Sequence, residues 1–169
     1  MAESYFDLIK RSRPVSEVSR EVFLNSLSAV DKENIEKMIA GFESSVNGTG
    51  GNSTLVAVGK SVADETRGTP RKDIDMLILK DGGTDFRTFV SRARSLAELL
   101  QFTLGDITYP DPDYDYGHDG SVKIIPQKGT QIDLLPSVSR LSVGEILDRM
   151  RRETSTHYMP QDFCILVRT

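Results

Sequence analysis

Residues 73–79 read Asp-Ile-Asp-Met-Leu-Ile-Leu, a run that predicts a β-strand with one face in the hydrophobic core. Successive side chains of a strand point to opposite faces, so Asp73 and Asp75 share one face while Ile74 and Met76 point into the core. Two adjacent carboxylates repel each other, and burying them together is costly unless a cation compensates. Magnesium suits such a pair because it is a hard cation that commonly binds one or two carboxylates together with substrate phosphates. The alternative interpretation is a solvated acidic strand edge.

Two other segments of the sequence support a functional interpretation of the acidic pair. Gly59-Lys60-Ser61 ends the apolar strand 55–58, and this small-residue turn can approach phosphates through backbone N–H groups. Asp133 is a lone acid within the apolar strand 132–135, where a charged side chain needs an outward face or a partner. Together the three features predict a site for metal and phosphate more specifically than any one of them.

The same three segments resemble the nucleotidyltransferase superfamily that contains DNA polymerase β. That family has a glycine-serine turn, an Asp-x-Asp/Glu strand after it and a third acidic residue on a later strand. The matching segments are Val58-Gly59-Lys60-Ser61, Asp73-Ile74-Asp75-Met76 and Ile132-Asp133-Leu134-Leu135-Pro136. The stretch 114–136, with His118 before a hairpin that ends Asp-Leu-Leu-Pro, is similar to the archaeal CCA-adding and oligoadenylate-synthase-like branches. The resemblance covers residues 55–136.

The resemblance implies a nucleotidyltransferase that uses two magnesium ions and a nucleoside triphosphate, with ATP as the expected donor. The two ions would bridge the carboxylates of Asp73, Asp75 and Asp133 and the triphosphate. Asp73 and Asp75 would bind both ions, and Asp133 would also help to position the attacking hydroxyl and accept its proton. Gly59, Lys60 and Ser61 would contact the phosphates, and pyrophosphate would leave. The acceptor stays open between RNA, a protein hydroxyl, a small molecule and another nucleotide.

The order of the other elements predicts the fold class. We expect one helix over residues 31–42, with Asp31 as its cap, and a second over residues 85–101. A third helix begins at the capping box formed by Ser142 and Glu145. Strands 122–125 and 132–135 are expected to form a hairpin, and a last strand covers 163–167. We expect a single α/β (α+β) domain over 1–169, a small mixed β-sheet with helices packed on one side and the metal site on the other. Within it, residues 1–45 supply N-terminal helices, 53–136 the core with the metal site, and 142–169 a C-terminal helix and strand.

Composition limits the classes of partner. A net charge of −4 and a pI near 5.2 argue against nucleic-acid binding over the whole surface, although Arg149, Arg151 and Arg152 could contact an acceptor's phosphates or simply complement the helix dipole. The single cysteine, Cys164, cannot form an internal disulfide. No apolar stretch approaches membrane-spanning length and no signal peptide is recognisable, so the sequence predicts a cytoplasmic protein without membrane contact.

Three alternatives bear on function. A P-loop fails because Thr54 stands where its first glycine belongs and a strand follows. A catalytically silent nucleotide-binding or antitoxin-like partner-binding module stays open, although all three acids are present. The acidic, tyrosine-rich stretch 106–119 is interpreted as a solvated loop near the site entrance, with base stacking by a tyrosine as the alternative. A chain of this size offers little surface for a macromolecular acceptor, so we expect a homodimer or a separate partner protein.

Overall fold

A computed structural model describes residues 13–14, 17–46, 53–59, 73–110, 120–137, 140–152, 154–155 and 162–168 of the chain. The helices in these ranges are α1 (Arg20–Asn25), α2 (Ala29–Val46), α3 (Phe86–Leu100) and α4 (Val143–Arg152). The strands are β1 (Arg13–Pro14), β2 (Ser53–Val58), β3 (Asp73–Lys80), β4 (Thr103–Thr108), β5 (Ser121–Ile125), β6 (Gln131–Pro136), β7 (Thr154–Ser155) and β8 (Phe163–Arg168).

A six-stranded mixed sheet forms the centre, with the strand order β4-β5-β6-β3-β2-β8. β3 and β6 pair in parallel, and the other neighbours pair antiparallel, including the predicted β5–β6 hairpin. β1 and β7 form a separate two-stranded sheet. The predicted α/β fold with a mixed sheet is therefore confirmed, and β8 joins that sheet next to β2.

The larger hydrophobic core lies between one face of the sheet and the helices α1, α2 and α3. Ile74 and Met76 of β3 are buried there with the large side chains of all three helices, among them Phe23, Ile35 and Phe89. The helix α3 begins after Asp85, whose carboxylate accepts the N–H of Thr88 at 2.9 Å, and its buried side chains follow a helical period. These helices occupy the predicted side of the sheet, away from Asp73 and Asp75.

The helix α4 packs on the opposite face, which carries the aspartates. Its Val143 and Leu147 are buried against Val56, Val58, Leu79 and Phe163. Two contacts fix its start, because the Asp81 carboxylate accepts the Val143 N–H at 2.7 Å and the Gly82 N–H donates to the Leu141 carbonyl at 3.1 Å. α4 thus covers the β2–β8 part of this face. The prediction placed all helices on one side of the sheet, and α4 departs from it because its apolar side chains pack on the face that carries the aspartates.

The edge strand β4 is not predicted by the sequence, and its last residues, 106–108, fall in the stretch interpreted as a loop. None of its residues is fully buried and half of them are exposed, and the register with β5 shifts between Leu104 and Ile107. An exposed edge strand with a bulge lacks the apolar alternation on which the sequence prediction depends. Tyr109 follows it and contacts the Phe86 ring at a centroid distance of 5.6 Å, whereas residues 111–119, including His118, lie outside the described ranges.

The predicted Asp31 cap is wrong. α2 begins two residues earlier, and the Ser28 hydroxyl accepts the N–H of Asp31 at 3.2 Å. The Asp31 carboxylate instead accepts both the N–H and the hydroxyl of Thr130, each at 2.7 Å, and Asn34 donates to the Lys128 carbonyl at 2.6 Å. The Asp31 carboxylate thus accepts hydrogen bonds from the turn of the β5–β6 hairpin, which is far from Asp31 in sequence.

Gly129 in this turn has a conformation and a surrounding that exclude a side chain. Its φ is +98°, and a Cβ would lie 2.7 Å from Asp31 Oδ1 and 2.8 Å from Asn34 Nδ2. Gly82 is a matched control, since its φ is +77° but no described atom lies within 4 Å of its Cβ position. Both Gly→Ala changes carry the left-handed backbone cost of about 1–2 kcal/mol.

We expect Gly129→Ala to lower the free energy of unfolding by about 1–3 kcal/mol more than Gly82→Ala, because it also disrupts the hydrogen bonds of Asp31. Urea denaturation of the two variants and the parent measures the difference. Equal losses would show that the contact of α2 with the hairpin turn contributes little to stability.

Candidate metal centre

The parallel pairing of β3 with β6 brings the three predicted acids together. Asp75 and Asp133 are direct partners in this register, and Asp73 is the partner of Gln131. Asp73 and Asp75 share a face because they are two residues apart on one strand. One ligand atom from each of Asp73, Asp75 and Asp133 lies within 4.8 Å of the others. Their proximity is a property of the fold, whereas their catalytic roles stay predictions.

The three carboxylates are half-buried, and their charges interact. Burial, together with the negative charges of Asp73 and Asp133, raises the pKa of Asp75 from 3.8 to about 6. Across the described part of the chain, no lysine or arginine lies within 4 Å of any of the three carboxylates. Three mutually close, half-buried oxygen donors that form no ion pair with a described residue fit a hard divalent cation such as magnesium.

Gly59 lies at the end of β2, beside the acidic cluster, because Val58 is the direct partner of Asp75. Its φ is +96°, which favours glycine, and its N–H donates to the Asp162 carbonyl at 3.0 Å. That N–H is therefore already bonded, and Gly59 serves to turn the chain at the site. Lys60 and Ser61 lie outside the described residues, so the phosphate-binding role of the turn stays a prediction.

Gln131 is a site residue that the sequence interpretation missed. Its Nε2 donates to Asp133 Oδ1 at 2.9 Å. Gln131 stands two residues before Asp133 on β6, so the alternation rule that paired Asp73 with Asp75 could have placed it on the same face. Lys123 of β5 is the direct cross-strand partner of Asp133, and no sequence pattern shows that register.

Two of the three arginines of α4, Arg151 and Arg152, make contacts within the protein. Arg151 donates from Nε and Nη2 to the two carboxylate oxygens of Glu17, at 2.9 and 3.1 Å. Arg152 Nε donates to the Asp148 carbonyl at 3.2 Å. Arg151 thus connects α4 to the segment before α1. This ion pair accounts for Arg151 without a contact to an acceptor's phosphates.

No protein-family model and no curated protein matches this sequence. Among solved structures, the chain is similar to a CCA-adding enzyme in complex with ATP, with 16% identity, a TM-score of 0.42, and coverage of 69% of this chain and 23% of that chain. It is also similar to a CCA-adding enzyme in complex with CTP, with 17% identity, a TM-score of 0.42, and coverage of 73% of this chain and 23% of that chain. This chain spans about a quarter of those enzymes' length. At this TM-score the likeness does not bear on activity, and the functional argument rests on the site.

Within the ranges that the structure describes, no helix combines the length and the hydropathy needed to cross a bilayer.

The raised pKa of Asp75 predicts how stability depends on pH without metal. The pKa of Asp75 is 3.8 in the ordinary case and about 6 in the folded protein. The favourable contribution of Asp75 to folding stability is therefore complete below about pH 3.8 and is lost as the pH rises through about 6. Asp75→Asn removes this loss. We therefore expect the variant in EDTA to melt above wild type at about pH 7.5, with a smaller difference at about pH 4.5.

Asp85 gives a control of opposite sign for the same melting experiments. Its hydrogen bonds from Thr88 hold the pKa of Asp85 below its ordinary value, so its contribution is present at neutral pH and is lost in acid. Asp85→Ala should melt below wild type at neutral pH, and the difference should narrow in acid. If Asp75→Asn behaved like Asp85→Ala, Asp75 would be a satisfied structural carboxylate rather than part of a cation site.

Proposed function

We propose that this chain is a magnesium-dependent nucleotidyltransferase that transfers a nucleotidyl group from a nucleoside triphosphate, ATP first among them, to a hydroxyl acceptor. The observation that carries the proposal is the convergence of Asp73, Asp75 and Asp133, whose ligand atoms lie within 4.8 Å of one another. The resemblance of the three sequence segments to the polymerase β superfamily supports the same chemistry.

A purely structural role explains this cluster poorly. A structural carboxylate is expected to have a basic partner or several donors, whereas among the described residues the hydrogen bond that the cluster accepts comes from the Gln131 amide, on Asp133. The raised pKa of Asp75 means that the ionised cluster lowers the stability of the metal-free fold. Groups that cost stability in this way are typical of sites that a ligand completes.

The residues divide the chemistry between two strands. Asp73 and Asp75 on β3 and Asp133 on β6 would hold the metal, and Asp133 would also orient the acceptor hydroxyl and accept its proton. The hydroxyl oxygen forms a bond to the α-phosphorus while the bond from that phosphorus to the bridging oxygen breaks, and pyrophosphate leaves. When bound, magnesium supplies neutralisation of the triphosphate charge and a template for the in-line geometry. Phosphate contacts fall to Lys60 and Ser61, because the Gly59 N–H already donates to Asp162.

The acceptor is proposed as a hydroxyl of RNA, of a protein or of a small molecule. A homodimer or a separate partner protein would supply the surface that holds a macromolecular acceptor. Light scattering, combined with labelling of a purified macromolecule, tests this part, and a strict monomer that modifies such an acceptor would contradict it.

The direct test incubates the protein with magnesium, each α-labelled triphosphate and cell extract, and follows label transfer and pyrophosphate release. We expect Asp73→Asn, Asp75→Asn and Asp133→Asn each to lower transfer by at least about 100-fold, as loss of an electrostatic group acting on the transition state does. Magnesium with triphosphate should raise the melting temperature of wild type, and the three variants should lose most of this gain. Asp106→Asn, at an exposed position on β4, is the matched control and should behave like wild type.

The outcomes separate the candidate functions. Ligand-induced stabilisation of wild type without transfer or pyrophosphate release would favour a silent nucleotide-binding or antitoxin-like partner-binding module. If all three variants kept the wild-type response to magnesium and nucleotide, the site would not be at these residues.

A further inference from the structure

We propose that Gln131 is a positioning residue that fixes the carboxylate of Asp133 within the metal centre. The inference rests on the proposed function, because it assigns a role toward the metal and acceptor hydroxyl at that same site. Its basis is the hydrogen bond from Gln131 Nε2 to Asp133 Oδ1, 2.9 Å long, between two half-buried side chains on one face of β6.

The register of the sheet places Gln131 between two of the acids. It precedes Asp133 by two positions on β6, and it is the direct partner of Asp73 on β3. Its side chain is therefore on the acidic face, beside the cluster. An exposed glutamine on a sheet is free to extend into solvent, whereas this amide is turned along its own strand toward Asp133.

One donated hydrogen bond leaves the rest of the carboxylate available. An ionised carboxylate has two oxygens with about four lone-pair positions, and the amide uses one position on Oδ1. The bond restrains rotation of the Asp133 carboxylate, so that Oδ2 and the remaining position on Oδ1 keep a fixed direction. A group that orients a metal-ligating carboxylate in this way typically changes metal affinity or activity by about 10–100-fold when it is removed.

The neutrality of glutamine suits this position. A lysine or arginine would donate the same bond but would pair its charge with Asp133 and oppose binding of a divalent cation. A glutamate would replace the donor by a fourth negative charge beside three carboxylates. The amide orients Asp133 without adding a charge of either sign to the cluster.

The test measures metal binding directly, with Mn²⁺ titrated into the apo protein and free ion followed by electron paramagnetic resonance. The variants are Gln131→Met, Asp133→Asn and the double variant, with Gln127→Met as control. Methionine keeps the length of the side chain and removes the donor, and Gln127 is an exposed glutamine of the preceding turn. Gln131→Met should weaken Mn²⁺ binding about 10–100-fold, and Gln127→Met should not change it.

The double variant separates positioning from a general structural effect. If Gln131 acts through Asp133, the double variant should bind Mn²⁺ no more weakly than Asp133→Asn alone, and label transfer by Gln131→Met should fall while its melting temperature without metal stays near wild type. Additive losses in the double variant, or Gln131→Met with wild-type affinity while Asp133→Asn binds weakly, would overturn the role of Gln131 and leave the proposed function intact. Absence of Mn²⁺ binding by wild type would overturn both.

Discussion

The parallel pairing of β3 with β6 is the constraint on which the site depends. Parallel neighbours cannot be joined by a tight hairpin, so the chain between them must cross over, and here it forms α3, β4 and β5 before it returns as β6. α3 packs on the face that buries Ile74 and Met76, which leaves the alternate side chains of both strands on the other face. The crossover thus separates a dry core from an acidic face and brings Asp133 into register with Asp75.

The two faces of β3 act on stability in opposite directions. Ile74 and Met76 are almost completely buried, and each contributes on the order of 1.5–3 kcal/mol through burial of apolar surface. Asp75 on the alternate face has its pKa raised to about 6 by burial and by its acidic neighbours, so the ionised form opposes folding. The apolar face stabilises a strand whose other face is electrostatically unfavourable without a cation. Such an arrangement is expected where selection acts on ligand binding rather than on the stability of the empty fold.

The sequence predicted the features that depend on local periodicity and missed those that depend on tertiary register. Alternation in residues 73–79 was sufficient to separate the acidic from the apolar face, and the apolar runs of β5 and β6 were sufficient to predict a hairpin. The partner of Asp31 could not be predicted, because Thr130 reaches it only after the hairpin has packed on α2. β4 was missed because an exposed, bulged edge strand has no apolar alternation. Gln131 could have been placed on the acidic face, yet only the folded geometry shows its bond to Asp133.

The Asp31 contact links the core-side helices to the acidic face. Thr130, which Asp31 holds through two hydrogen bonds of 2.7 Å, is the residue immediately before β6. Gln131 follows it at once, and Asp133 comes two residues later on the same strand. Because a shift of one residue in β6 would move Asp133 to the core face, the register of this strand must be fixed where it begins. A carboxylate on α2, on the far side of the sheet from the acidic cluster, therefore helps to determine which face Asp133 occupies.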